Sequence, residues 1–216
     1  MKMKKAAALI LAAVIIAASC LSGFAYDEST ANGEEAVAEF SVCSSMSIPV
    51  VAGHTYIYVK NLTDKPLRVG LYDVPVGEGV SIGSLSVPVS DGWGLYYNLE
   101  AHRENRDDHL SDIWSKTVTL NQAGLDKLND KLGGYLNHWD LFFNCAYFAY
   151  SMWNGTTGDF IMPFVIPLFS HWALQLSGGE KGKLELFVPT EEQIFRQIGS
   201  GKDARLVQAS SKTINS

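Results

Sequence analysis

Cysteine is scarce in this chain, and that scarcity narrows the reading from the start. Of 216 residues only three are cysteine, at positions 20, 43 and 145. They form no Cys-x-x-Cys pair and no Cys/His spacing of the zinc-binding kind, so neither a disulfide-dense scaffold nor a structural zinc domain is expected. The histidines are scattered singly, and the one acidic cluster (Asp107, Asp108, His109, Asp112) is expected to be a solvated loop. No metal and no cofactor is expected. Positive charge is also in deficit. Setting aside Lys2, Lys4 and Lys5 leaves 14 basic against 23 acidic residues, a net −9, which argues against a nucleic-acid or anionic-membrane partner. Repeats and low-complexity tracts are absent. What is present is a 47% apolar composition, enough for one real core, with neither the low hydrophobicity nor the extreme charge of a disordered chain.

The first 25 residues read as an address. A basic start (MKMKK) runs into an apolar stretch at 6–18 and then into small residues ending Gly23-Phe24-Ala25, the small-x-small pattern of signal peptidase cleavage. The apolar run is about 13 residues, shorter than the roughly 20 that a spanning helix needs, so no stable membrane span is expected. Cys20, after Ala17-Ala18-Ser19, makes a poor lipoprotein site because the usual leucine three residues earlier is missing. The chain is therefore expected to be secreted or held in a bacterial cell envelope. Export permits disulfides, and after cleavage only Cys43 and Cys145 remain. Either they pair, or Cys145 is a working thiol and Cys43 a small buried apolar residue.

Residues 26–40 are acidic and small and read as a flexible leader. A single domain is expected over 41–200, followed by a polar, frayed tail at 201–216. Residues 48–59 and 67–76 are strand-like and flank the turn-forming Asn61-Leu-Thr-Asp-Lys-Pro66, which predicts a β-hairpin. Short strands follow at 80–82 and 94–99, then a polar stretch over 100–111 and a strand at 116–120. Asn121 can cap a helix whose Leu125, Leu128 and Leu132 share one face, ended by Gly133-Gly134. A second helix, 145–153, is apolar nearly all round and must be buried. A proline-punctuated apolar segment at 160–176, a strand at 183–188 and a helix opened by Thr190 with Gln193 complete the pattern. The Asn61-Leu-Thr and Asn154-Gly-Thr sequons carry no weight in a bacterial-style export product.

The chemistry is concentrated around residues 139–149 (WDLFFNCAYFA), which set Cys145 in the first turn of the buried helix. Unpaired amides and the positive end of the helix dipole favour a thiolate there, and the Cys145 amide could stabilise an oxyanion formed by attack of its own sulfur. A core cysteine packed between Phe142 and Phe148 is the alternative. A thiol nucleophile needs a base, and His54 opens the strand His54-Thr-Tyr-Ile-Tyr-Val59 directly after Gly53. His102 and His109 lie in a charged stretch, His138 precedes the cysteine helix, and His171 falls in the apolar segment.

Gly53-His54-Thr-Tyr-Ile-Tyr-Val and, much later, Leu-Phe-Phe-Asn144-Cys145-Ala-Tyr-Phe148-Ala149 together resemble the circularly permuted NlpC-like branch of the papain fold, the branch that contains lecithin:retinol acyltransferase. In that family the histidine strand precedes a cysteine helix introduced by an Asn-Cys-x-x-Phe-like motif, which Asn144, Cys145 and Phe148 match. The resemblance implies an α+β fold, an antiparallel sheet packed against a buried cysteine-bearing helix, with Cys145 as nucleophile and His54 as general base. The family also places a polar residue on the next strand to orient the imidazole. If the hairpin turn centres between Thr63 and Asp64, Asp73 falls opposite His54 and takes that part. A one-residue slip brings Tyr72 or Val74 there instead, and an ordinary strand-end acid is the other reading of Asp73. The family's aromatic hydroxyl before the cysteine has no clear equivalent among His138, Trp139 and the more distant Tyr135.

The implied activity is hydrolysis of an amide, ester or thioester through an acyl-cysteine, with a peptide or cell-wall amide as the expected substrate. The competing expectation is a secreted binding module of the same fold that has lost the reaction, with Tyr56, Trp93, Tyr96 and Tyr97 lining a groove. The sequence carries no signal for oligomeric state.

Overall fold

A computed structural model describes residues 35–46, 53–85, 91–107, 112–136, 144–163 and 167–215. The stretch expected to direct export, Cys20, most of the expected acidic leader, Asp108, His109, His138 and Trp139 lie outside the described residues. The elements are, in order, β1 (Ala38–Ser45), β2 (His54–Asn61), β3 (Leu67–Val69), β4 (Tyr72–Val74), β5 (Gly79–Leu85), β6 (Gly94–Tyr97), α1 (Leu99–Arg106), β7 (Trp114–Leu120), α2 (Gln122–Gly134), α3 (Cys145–Thr157), α4 (Pro167–Leu176), β8 (Glu180–Lys181), β9 (Phe195–Ile198), β10 (Arg205–Gln208) and α5 (Ser211–Ile214). Eight strands pair antiparallel in the order β10-β9-β6-β5-β2-β1-β7-β8, and β3 with β4 forms a small separate hairpin. The chain is thus an α+β fold. No helix among the described residues is long and apolar enough to cross a membrane.

Side chains alternate across a strand, and both faces of the central strands β1, β2, β5 and β6 are covered. On one face Phe40 and Val42 of β1, Ile57 and Val59 of β2, and Val80 and Ile82 of β5 pack against Leu125, Leu128 and Leu132 of α2 and Phe148, Ala149 and Trp153 of α3. Phe40 and Trp153 meet with ring centroids 5.5 Å apart. On the other face Cys43, Tyr56, Tyr58 and Ile113 form a second cluster against Leu184, Leu186 and Phe187. A third cluster joins Tyr96 and Leu99 to Ile194, Ala209 and Ile214.

This layering explains several departures from the sequence pattern. The 48–59/67–76 hairpin does not form, because β2 takes β1 and β5 as its neighbours. Asn61 ends β2 by donating to the carbonyls of Lys65, Val74 and Pro75 while its own oxygen accepts from Thr63, so the turn closes on β4 rather than on β2. That buried amide is fully used, and the Asn154 side chain pairs with both backbone groups of Ile161. The expected leader does not run to residue 40, since Ala38 and Phe40 are buried in β1.

The polar stretch 100–111 contains a helix, α1, which buries Glu100, Arg103 and Glu104. Its flanking acids are paired, Asp107 with Arg106 and Asp112 with Lys181. Segment 183–188 is irregular, and the capping box at Thr190 opens only a single 3₁₀ turn before β9. The C-terminal tail is tied down: Arg103 donates to Thr213 O and Arg106 to Ile214 O.

Phe148 is fully buried and meets Tyr135 edge-on at 5.0 Å. Phe148→Ala is expected to cost about 3–5 kcal/mol, read from the midpoint of a urea titration at unchanged slope.

Candidate functional site

Helix α3 begins at Asn144, whose extended backbone (φ −99°, ψ −170°) lets its side chain turn back along the first turn. Its Oδ1 accepts from the amides of Ala146 at 3.0 Å and Tyr147 at 3.2 Å, and the Phe148 amide donates to the Asn144 carbonyl. The first N–H groups of a helix have no intrahelical acceptor. Once Asn144 has taken those two, the Cys145 amide beside the sulfur is left with no acceptor among the described residues. A cap of this kind contributes about 1 kcal/mol and fixes where the helix, and hence Cys145, begins.

His54 is the first residue of β2. Gly53 before it adopts φ +82°, and a Cβ there would meet the Met46 sulfur at 2.6 Å and the Ser45 carbonyl at 2.9 Å. Only glycine makes that turn without a clash. The ring of His54 hydrogen-bonds the Cys145 sulfur, which also receives the backbone amides of Thr55 and Ala146. Residues 91 apart in the chain are thereby joined at the end of the central strand.

The third member is Glu100. Its Oε1 lies 3.3 Å from His54 Nε2, and its Oε2 accepts from Ser81 Oγ at 3.2 Å. The carboxylate reaches the ring over Gly83, where a Cβ would stand 1.9 Å from Oε1 and 3.0 Å from Nε2. Glycine is needed there for space rather than for an unusual φ.

All three groups are buried. Burial alone would lower the proton affinity of His54, but the Cys145 sulfur and the Glu100 carboxylate outweigh it and push its pKa up to about 10. Burial likewise pushes the Cys145 thiol up. The His54 ring and the amides of Thr55 and Ala146 reverse this and bring the thiol below its ordinary value. The favoured resting state is a thiolate facing an imidazolium.

The remaining expectations fare differently. Asp73 is not opposite His54: it faces Arg68 across the β3–β4 hairpin, bonds it at 3.1 Å and is solvent-exposed. The antiparallel geometry behind that expectation required β2 and β4 to share a hairpin, which the β2–β5 pairing prevents. Cys43 and Cys145 are unbridged. Cys43 sits opposite Tyr56 in the cluster on one face, whereas the cysteine helix packs on the other. The aromatic groove is absent as drawn, since Tyr56, Tyr96 and Tyr97 are fully buried and only Trp93 is exposed. His102 lies on α1, and His171 on α4 bonds Ser44 and Gln175.

Sequence reasoning missed Glu100 because its surroundings read as a charged loop. The available signal was Leu99, Arg103 and the Glu100/Glu104 pair at helical spacing.

Three substitutions separate the two acids. Glu100→Gln is expected to slow iodoacetamide alkylation of Cys145 at pH 7 by about tenfold, and Gly83→Ala to act in the same direction by displacing the carboxylate. Asp73→Asn is expected to alkylate like the native chain, and equal effects of Asp73→Asn and Glu100→Gln would contradict the arrangement. The chain has no significant match among protein-family models, curated proteins or solved structures, so the roles of these residues rest on the arrangement described above.

Proposed function

We propose that this chain is an exported cysteine hydrolase of the permuted NlpC-like, papain-fold type. The observation that carries the reading is the contact between Cys145 and His54, backed by Glu100. The order of the parts supports it too: a histidine at the start of a strand, and later a cysteine at the head of a buried helix introduced by asparagine. An antiparallel sheet against that helix is the architecture the papain-like reading needs.

The reaction follows from the charges. The Cys145 thiolate attacks the carbonyl carbon of an amide, forming a C–S bond and an oxyanion to which the Cys145 amide can donate. The His54 imidazolium gives its proton to the departing amine as the C–N bond breaks, leaving a thioester and a neutral ring. Water then attacks the thioester, His54 takes its proton, and the acid leaves as the thiolate–imidazolium pair reforms. Glu100 holds the ring in orientation and balances its positive charge, the part first expected of Asp73. Esters and thioesters fit the same parts. A peptide or cell-wall amide is the proposed substrate, on the strength of the export signal and the family resemblance.

Cys145→Ser and His54→Ala are each expected to lower turnover of a peptide-amide and thioester panel by at least about a thousandfold. The native pH profile should be bell-shaped. Activity rises as Cys145 loses its proton, below the ordinary thiol range, and falls as His54 loses its proton near pH 10. A Cys145→Ser variant as active as the native chain would overturn the proposal.

A further inference from the structure

The turn that delivers Glu100 to His54 is built with unusual care. Asn98 has φ 68° and ψ −1°, and is the one residue other than glycine with positive φ among the described residues. A left-handed backbone costs a non-glycine residue free energy and persists where its surroundings over-determine it. Here they do. The Asn98 amide donates to Ser81 O at 2.8 Å, its Oδ1 accepts from the Ser81 amide at 3.3 Å, and its Nδ2 donates to Gln193 O at 3.0 Å. Asn98 precedes Glu100 by two residues, and it stands at the N-cap of α1 without making a capping bond of its own.

Ser81 supplies the cap from the neighbouring strand. Its Oγ accepts from the Ala101 amide at 3.1 Å and donates to Glu100 Oε2 at 3.2 Å. One hydroxyl thus fixes both the start of the helix and the carboxylate that the helix carries. Ser81 and Asn98 are fully buried. Arg103 of α1, Cys43 of β1, Tyr56 of β2 and Tyr96 of β6 feel the Glu100 charge. The hydrogen bonds to its carboxylate, among the described residues, come from His54 and Ser81.

We infer that Ser81 and Asn98 are positioning residues of the site, which set Glu100 at the place where its carboxylate holds the His54 ring while touching none of the reacting atoms themselves. The inference rests on the Cys145–His54 reading and adds to it the device that keeps the imidazole charged. It also accounts for an asparagine where glycine would be less strained: the side chain links β5 to the segment that carries Gln193, which a glycine cannot do.

The test uses the full chain with Ser81→Ala, Ser81→Thr and Asn98→Gly, and reads iodoacetamide alkylation of Cys145 against pH beside thermal unfolding. Glycine accepts the left-handed backbone, so Asn98→Gly should unfold within a few degrees of the native chain. Ser81→Ala and Asn98→Gly are expected to raise the apparent thiol pKa by about one pH unit, and Ser81→Thr, which keeps the hydroxyl, to restore part of that loss. A native Cys145 that alkylates at an acid-shifted pH, unmoved by Ser81→Ala and Asn98→Gly, overturns the positioning role alone. A native Cys145 that alkylates like an ordinary thiol overturns the underlying reading, and the positioning role with it.

Discussion

A strand covered on both faces has nowhere to put a charge except at its ends, and β2 is such a strand. Ile57 and Val59 face the helices α2 and α3, while Tyr56 and Tyr58 face the opposite cluster. His54 escapes that constraint by being the first residue. It is still buried, so its charge persists only because two anionic partners converge on it, the Cys145 sulfur from the head of α3 and the Glu100 carboxylate from the head of α1. Removing one partner of a buried charge costs more than a surface pair could, since the remaining charge is left desolvated. The sheet order, the cap of α3 and the turn before α1 all serve that one convergence.

The two helices meet the histidine in complementary ways. Helix α3 is capped by its own Asn144, which fixes where the helix begins and so sets the sulfur against the backbone of β2. Helix α1 is capped from another strand by Ser81, so its start is tied to β5 and to the register of the sheet. Glycine appears on both sides for different reasons. Gly53 supplies a left-handed turn, whereas Gly83 removes a side chain from the path of a carboxylate.

How much of this could be read from sequence follows from the range of the interactions. The cap and apolar surface of α3 are local features, written in Asn144, Cys145 and the residues that follow, and the strand beginning at His54 is equally local. The amphipathic helix after Asn121 follows from periodicity. Glu100 was out of reach because α1 owes its stability to distant partners: Ser81 caps it, and Arg103 and Arg106 bind carbonyls near the C-terminus. A short helix held this way has the composition of a loop. Asp73 illustrates the converse: antiparallel pairing sets it opposite His54 only if β2 and β4 are neighbours, and β2 pairs with β5 while β4 pairs with β3. The C-terminal residues look polar enough to fray, yet Ala209 and Ile214 complete a small core with Tyr96 and Leu99.

The chemistry turns on where one proton sits. Nuclear magnetic resonance of the His54 ring nitrogens in the full chain, followed from pH 6 to pH 11, observes it directly. A doubly protonated ring is expected through neutral and mildly alkaline pH, losing its proton near pH 10, with a far lower midpoint once Cys145 is replaced by serine. A ring already neutral at pH 7 in the native chain would contradict the resting ion pair, and with it the proposed chemistry.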